Sequence, residues 1–353
     1  SSSFQGNTFI MRRLPGLREE AFMTTLNDYR SRIRFQLSEI IRSDGSKQPY
    51  LSTWEKVASD LLNDEVFGKR YLKKGNVKKL LETGLPLMAA AASQKEKVDA
   101  ACRFIKSKVQ DRGRRGLFGS EKLDVLLERG AATSAERNLM LLALLTEAGI
   151  PTHPVLISTR DHGKTLQLYP MLDQFNYLIV RVEADGQTLF VDLGDDTLPL
   201  GYPSVQALNY KGWLLRDKEP AWIDLEPPVS AEGFTVKATI DAAGNLKGNF
   251  SAAFKGYEAA DYRVQIAKNQ DYWKQKMLTM YPEMQIQSIE VTALEALDET
   301  LKLSFDFELS GAAALAGDKA YFNPVLYTNF PENPFKAQER NYPIDIPYPF
   351  VEN

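Results

Sequence analysis

The residues best placed for chemistry in this 353-residue chain lie between Gly130 and Leu200. Thr133-Ser134-Ala135-Glu136 matches the Ser/Thr-x-x-Glu capping box, so Thr133 is predicted to cap a helix whose first helical residue is Ser134. From Leu139 to Leu145 that helix is apolar on all sides, as a helix covered by other elements must be, and its start is the end of chemical interest. Gly149, followed by Ile150-Pro151, closes it. Beyond Pro151 the apolar period changes to two. Phe175, Tyr177, Ile179 and Arg181 share one strand face, and Asp185-Gly186 reads as a two-residue hairpin turn. A tight type I′ turn sets Ala184 opposite Gln187 and Ile179 opposite Asp192, which leaves Tyr177 diagonal to Asp192 on the same face. A helix N-terminus beside two strands carrying polar residues is the arrangement of thiol-nucleophile enzymes, because the helix dipole stabilises a thiolate.

The other chemically able side chains read as structural. The lone cysteine, Cys102, sits in Val98-x-x-Ala101-Cys102-x-x-Ile105 at helical spacing, so it is expected in a core, and no intrachain disulfide can form. His153 belongs to an apolar strand, and His162 to a loop over 160–173 that could lie over the helix start. Asp192 with Asp195-Asp196 lacks nearby His or Cys, and hairpin-end carboxylates capping a loop account for it, so neither a metal nor a cofactor is expected. Lys106, Lys108, Arg112, Arg114 and Arg115 read as a solvated helix end rather than a phosphate site.

Residues 130–200 resemble the core of the transglutaminase-like superfamily, a circular variant of the papain-like fold. In that family a Gly-x-Cys opens a helix ending in Leu-Leu-x-x-x-Gly-Ile-Pro, a His begins the next long strand, and an Asp sits on the strand after it. Leu144-Leu145-Thr146-Glu147-Ala148-Gly149-Ile150-Pro151 matches the helix end. Counted back from Gly149, the cysteine position holds Ser134 and the glycine position Ala132; the histidine position, after Phe175-Asn176, holds Tyr177; Asp192 keeps the third residue. Pro154-Val155-Leu156-Ile157-Ser158-Thr159-Arg160 and Ala135-Glu136-x-Asn138-Leu139 are similar to multidomain bacterial envelope proteins whose core lies between two β-domains. The resemblance implies an α+β chain: terminal strands of an N-terminal β-domain over 1–48, a transglutaminase-like (papain-like) core over 49–228, and a C-terminal β-sandwich with a helical insertion over 229–353. It also implies a periplasmic or cell-surface location, with the leader outside this sequence.

With Ser134 and Tyr177 in place of the family's Cys and His, no catalytic residue is expected among Ser134, Tyr177 and Asp192. The family's aromatic after the preceding helix is also missing, since that stretch reads Val109-Gln110-Asp111-Arg112-Gly113. The resemblance then implies a pseudoenzyme, a binding or scaffold module that takes a peptide or glycan in its cleft or an envelope protein as partner. The alternative is a hydrolase or acyltransferase with Ser134 as nucleophile. A serine hydroxyl needs a base, and tyrosine, with a reference pKa of about 10, is a weak one.

Composition bounds the rest. With 44% hydrophobic and 25% charged residues the chain is an ordinary globular protein, long enough for two or three cores. A net charge of −3 gives no pull toward nucleic acid, and no apolar run is long enough to span a bilayer. Alternation over Thr8 to Leu14 and Arg30 to Ile41 predicts strands, broken at Ser43-Asp44-Gly45-Ser46. Helices follow: one opened by Ser52-Thr53-Trp54-Glu55 as a capping box, another around Val77 to Leu81, and a third over Ser93 to Gln110. Residues 199–228 are expected to add short strands to the core sheet, with Glu226-Pro227-Pro228 as the boundary. Beyond it, hairpin strands over 234–254, a helical stretch from Tyr257 to Met280 and strands at Met284 to Thr292 and Leu301 to Leu309 are predicted. The aromatic tail, Tyr321 to Phe350, is read as packing rather than sugar binding.

Overall fold

A computed structural model of the chain describes all residues except Ser1, Gly6, Asn7, Pro15, Tyr50, Leu51 and Asn353. The chain forms two compact units. The first comprises Ser1–Gly194, Gln206–Leu225 and Phe335–Pro347, and the second Asp195–Val205, Glu226–Pro334 and Tyr348–Asn353.

The first unit opens with two antiparallel hairpins, β1 (Ser2–Gln5) with β2 (Thr8–Met11) and β3 (Glu39–Ile41) with β4 (Lys47–Pro49). Ser43-Asp44-Gly45-Ser46 is the second hairpin's turn, with Gly45 at φ +80°. The strand expected from Arg30 to Ile41 is realised only at Glu39–Ile41. Residues 31–38 alternate in sequence but pair with no strand among the described residues, so no ladder forms there.

Helices α1 (Trp54–Leu62), α2 (Gly68–Leu72), α3 (Lys74–Ala89) and α4 (Gln94–Lys108) come next. The α1 cap is Thr53, whose hydroxyl accepts from Lys56 N at 3.2 Å, one residue later than the expected Ser52. Ser93 and Glu96 form a reciprocal capping box that opens α4. Val98, Ala101, Cys102 and Ile105 are its buried stripe, and burial pushes the Cys102 thiol up to about 12, so it packs as a small apolar residue.

The two-residue strands β5 (Gln110–Asp111) and β6 (Ala131–Ala132) pair in parallel around α5 (Leu123–Arg129) and lead into α6 (Ser134–Glu147). Every residue of α6 from Ser134 to Leu145 is buried, and the helix packs against α2, α3, α4 and α5. Gly84 permits the close approach of α3: a Cβ there would lie 2.6 Å from Leu144 Cδ2.

On its other side α6 meets an antiparallel sheet made of β7 (Thr152–Ile157), β8 (Tyr177–Ala184), β9 (Gln187–Val191), β10 (Lys211–Leu214) and β11 (Ala221–Asp224), in the order β11-β10-β7-β8-β9. The β8–β9 hairpin has the expected register, from Ala184↔Gln187 to Val180↔Val191. Its turn residues Asp185 and Gly186 have φ of +49° and +75°, as a type I′ turn requires.

The second unit contains β12 (Ser230–Ile240), β13 (Leu246–Lys255), α7 (Tyr257–Lys268), α8 (Tyr272–Met280), β14 (Met284–Thr292), β15 (Leu301–Leu309), the small hairpin β16 (Ala314–Ala316) and β17 (Lys319–Tyr321), and β18 (Phe350–Glu352). Its main sheet runs β14-β15-β13-β12-β18 and shares no strand with the first. The expected β-sandwich with a helical insertion is found as a sheet whose packing layer is the insertion itself. Ala259, Tyr262 and Ile266 of α7 and Trp273 and Met277 of α8 form one core with Phe250, Phe254, Leu303 and Phe305. The large aromatics of the helical stretch fill the space that a second sheet would occupy.

Within this unit Glu232 on β12 is 2% exposed and accepts a hydrogen bond from Asn329 Nδ2. Burial, with repulsion from Glu258 and Glu352, raises its carboxyl to about 7. The native state then binds this proton more tightly than the unfolded chain does, so the associated stability is complete below the ordinary carboxylate range and is lost as pH rises through about 7. Glu232→Gln should therefore raise Tm relative to the parent at pH 8 and give no such gain at pH 4. A difference in Tm that is the same at both pH values would show that Glu232 is not held protonated.

Candidate functional site

The site grows from the start of α6. The Thr133 hydroxyl accepts from Glu136 N at 3.3 Å, and the Glu136 carboxylate accepts from Thr133 N at 2.9 Å, completing the capping box. Glu136 also accepts from Ser120 N and Oγ at 2.8 and 2.6 Å. Burial pushes the Glu136 carboxyl up, but these hydrogen bonds outweigh it and leave it below its ordinary value.

Ser134, 3% exposed, points both of its donors at one acceptor: its amide and its hydroxyl reach Arg114 O at 3.3 and 3.2 Å. On the hairpin, the Tyr177 hydroxyl donates to the two oxygens of Asp192 at 2.9 and 3.1 Å, as the diagonal register predicts. Tyr177 and Asp192 are 4% and 5% exposed. Asp192 Oδ1 also accepts from Gly194 N at 2.8 Å and, at 3.5 Å, from Asn138 Nδ2.

The three positions converge. A Cβ built on Gly194 would lie 1.9 Å from the Tyr177 hydroxyl oxygen, 3.0 Å from Ser134 Cβ and 3.1 Å from Asp192 Oδ1. Ser134 Cβ and the Tyr177 hydroxyl are thus at most 4.9 Å apart, those first two distances laid end to end.

Two residues not foreseen from the sequence complete the site. Asn138, one turn into α6 and fully buried, donates to Leu178 O at 2.9 Å and accepts from Leu193 N at 3.0 Å. It joins the helix to β8 and to the end of the hairpin in one side chain. A wholly buried amide inside an apolar helix was its available signal, since such a group must find partners. Gly194 has none in the sequence, because the contact it relieves exists only after folding.

The remaining candidates lie outside this cluster of contacts. His162 Nδ1 is 3.0 Å from Ser158 Oγ, whose hydroxyl donates to Gly163 O at 2.6 Å, so His162 is fastened within its own loop. His153 is half-buried, and burial together with Arg216 and Arg181 holds it below its ordinary value. Asp195 accepts from Thr197 N and Oγ1 at 2.9 and 2.6 Å and caps its loop. Among the described residues no group of three or more His, Cys, Asp or Glu side chains is gathered as a metal would require, and no helix is long and apolar enough to cross a membrane.

Chemically the arrangement is a hydrogen-bonded knot. The Ser134 proton is directed at a carbonyl, which is no base, and the Tyr177 proton at a carboxylate. No family model and no curated protein matches the chain. Among solved structures it is similar to a crystal structure titled a "putative protease" from Parabacteroides distasonis, with a TM-score of 0.42 and 13% identity. That match covers 92% of this chain and 63% of the other, so the chain spans less than two thirds of that protein.

Gly194→Ala should cost about 1–3 kcal/mol by overpacking, because the new methyl meets the Tyr177 hydroxyl. Removing that hydroxyl by Tyr177→Phe should then cost less in the alanine background than in the parent. Urea denaturation of the four proteins checks this, and costs that simply add would contradict the contact.

Proposed function

We propose that this chain is a non-catalytic protein with a transglutaminase-like core, a pseudoenzyme acting as a binding or scaffold module of the bacterial cell envelope. The family resemblance of residues 130–200 supports the core assignment, and through it the periplasmic or cell-surface location. The observation that carries the non-catalytic reading is the Tyr177–Asp192 hydrogen bond at 2.9 Å, beside a Ser134 hydroxyl committed to Arg114 O. A nucleophilic serine requires a neighbour that takes up its proton, and a neutral phenol cannot do so without becoming a strongly acidic cation. The hydrolase or acyltransferase reading would need Ser134 to leave Arg114 O and find a base, and the nearby Asp192 carboxylate already accepts from the Tyr177 hydroxyl and the Gly194 amide. Under the proposed reading the module's ligand is a peptide or glycan, or its partner an envelope protein.

A serine-reactive fluorophosphonate should leave Ser134 unmodified. Stoichiometric labelling that disappears in Ser134→Ala would instead establish a hydrolase. The same variant should retain stability to within about 1 kcal/mol, since Thr133 and not Ser134 is the cap. A larger loss in thermal or urea unfolding would mean that the Ser134 to Arg114 hydrogen bond matters more to the fold than its exposed counterparts do.

A further inference from the structure

Residues 31–38 are an anomaly. Among the described residues their backbone groups make no hydrogen bond to the rest of the chain, although the segment lies beside a built wall. That wall is the loop after β7, and it is well fixed. Asp28 Oδ1 accepts from Lys164 N at 2.6 Å, Asn27 Nδ2 donates to Asp161 O at 2.8 Å, and Asn209 holds Ser158 O and Gly163 O at 3.0 Å each. Between segment and loop lies a cavity of about 630 Å³. Arg32, Arg34 and Gln36 line it, every second residue, which is the signature of an extended chain showing one face, and Arg30 lines it from the bend just before. The intervening Ile33, Phe35 and Leu37 are exposed, Phe35 by 72%.

The cavity is cationic. His162 and Lys164 face it from the loop, and Asp28 is the one acid among its lining residues. The guanidinium groups of Arg30 and Arg34 have no ion pair or hydrogen bond among the described residues, and Arg32 donates only to Asn27 O. Arg32 and Arg34, roughly 7 Å apart along an extended backbone, and Arg30 in the bend before them repel one another unless anions sit between them. The unpaired N–H and C=O groups beside them are a template for a strand.

We infer that this segment binds an extended acidic peptide, which adds as a strand along residues 31–38 and presents Asp or Glu at alternate positions to Arg30, Arg32 and Arg34. Alternation on the ligand follows from the period of two on the protein, and the backbone ladder supplies affinity while the charges supply selectivity. A polysaccharide or nucleic acid could match the charge, but neither carries the amide pattern that completes a ladder. The site uses neither Ser134 nor Tyr177, so it stands whether or not the non-catalytic reading does, and its test involves no catalysis.

The test is a fluorescence anisotropy titration of the whole chain with a labelled peptide of alternating Glu and Val. Saturable binding that weakens with added salt is expected, as is a rise in Kd of at least about tenfold for Arg30→Glu with Arg34→Glu at unchanged Tm. Replacing Glu by Lys in the peptide should abolish binding. N-methylation of the alternate amides on one edge should also abolish it while the charge stays the same. Three results would overturn the inference: no binding by the acidic peptide, equal binding by the N-methylated peptide, or an anionic polysaccharide or oligonucleotide that displaces the peptide at lower concentration than the unlabelled peptide does.

Discussion

The carboxylate of Asp192, buried between a helix and a hairpin, is the constraint on which the first unit depends. It receives the Tyr177 hydroxyl, the Gly194 amide and a long contact from Asn138, while Asn138 itself spans from Leu178 O to Leu193 N. Apolar packing around α6 is strong but undirected, and a helix buried on all sides from Ser134 to Leu145 could rotate or slide within it at modest cost. Hydrogen bonds in a low-dielectric interior are directional and severe when broken, so these few fix both the rotation of α6 and its height on β8. The capping box at Thr133 and Glu136, tied through Ser120, fixes where the helix begins.

Under the proposed non-catalytic reading, the same knot accounts for a site with the outline of an acyl-transfer centre and none of its chemistry. A neutral imidazole can donate from one nitrogen to a carboxylate and accept a proton on the other. The phenol of Tyr177 reproduces the first half, since it donates to Asp192 and is oriented by it. It cannot reproduce the second, because a neutral phenol has no second atom that takes up a proton as the free imidazole nitrogen does. Gly194 then closes the space, its Cα hydrogens lying where any side chain would strike the Tyr177 hydroxyl. The geometry is that of a buried hydrogen-bonded pair with tight packing against it.

What the sequence discloses is local. The α6 cap, the buried face of α4 and the β8–β9 register all follow from signals within about ten residues, a capping box, a 3.6-residue period and an Asp-Gly turn. The α1 start slips by one because Ser52 and Thr53 are adjacent and both able to cap. Residues 31–38 alternate as a strand would, yet a ladder needs a neighbour, which no period of two can provide. In the second unit the helical stretch was legible, but not that Tyr262 and Trp273 would make it the layer facing Phe250 and Phe305. Asn138 acts through Leu178 and Leu193, and Gly194 relieves contacts with Tyr177 and Ser134, all distant enough in the chain that their part in the site emerges only with the fold.

Whether the knot is permanent decides the central claim, and native-state hydrogen exchange at the Leu193 and Gly194 amides measures it directly. Both amides donate into the knot, to Asn138 Oδ1 and Asp192 Oδ1. If the site is a closed structural joint, both exchange only through global unfolding, with a free energy equal to that of the whole first unit and the same dependence on denaturant. Exchange at much lower free energy and independent of denaturant would mean that the joint opens on its own, freeing Ser134 and Tyr177 to meet a substrate, and would contradict a non-catalytic site.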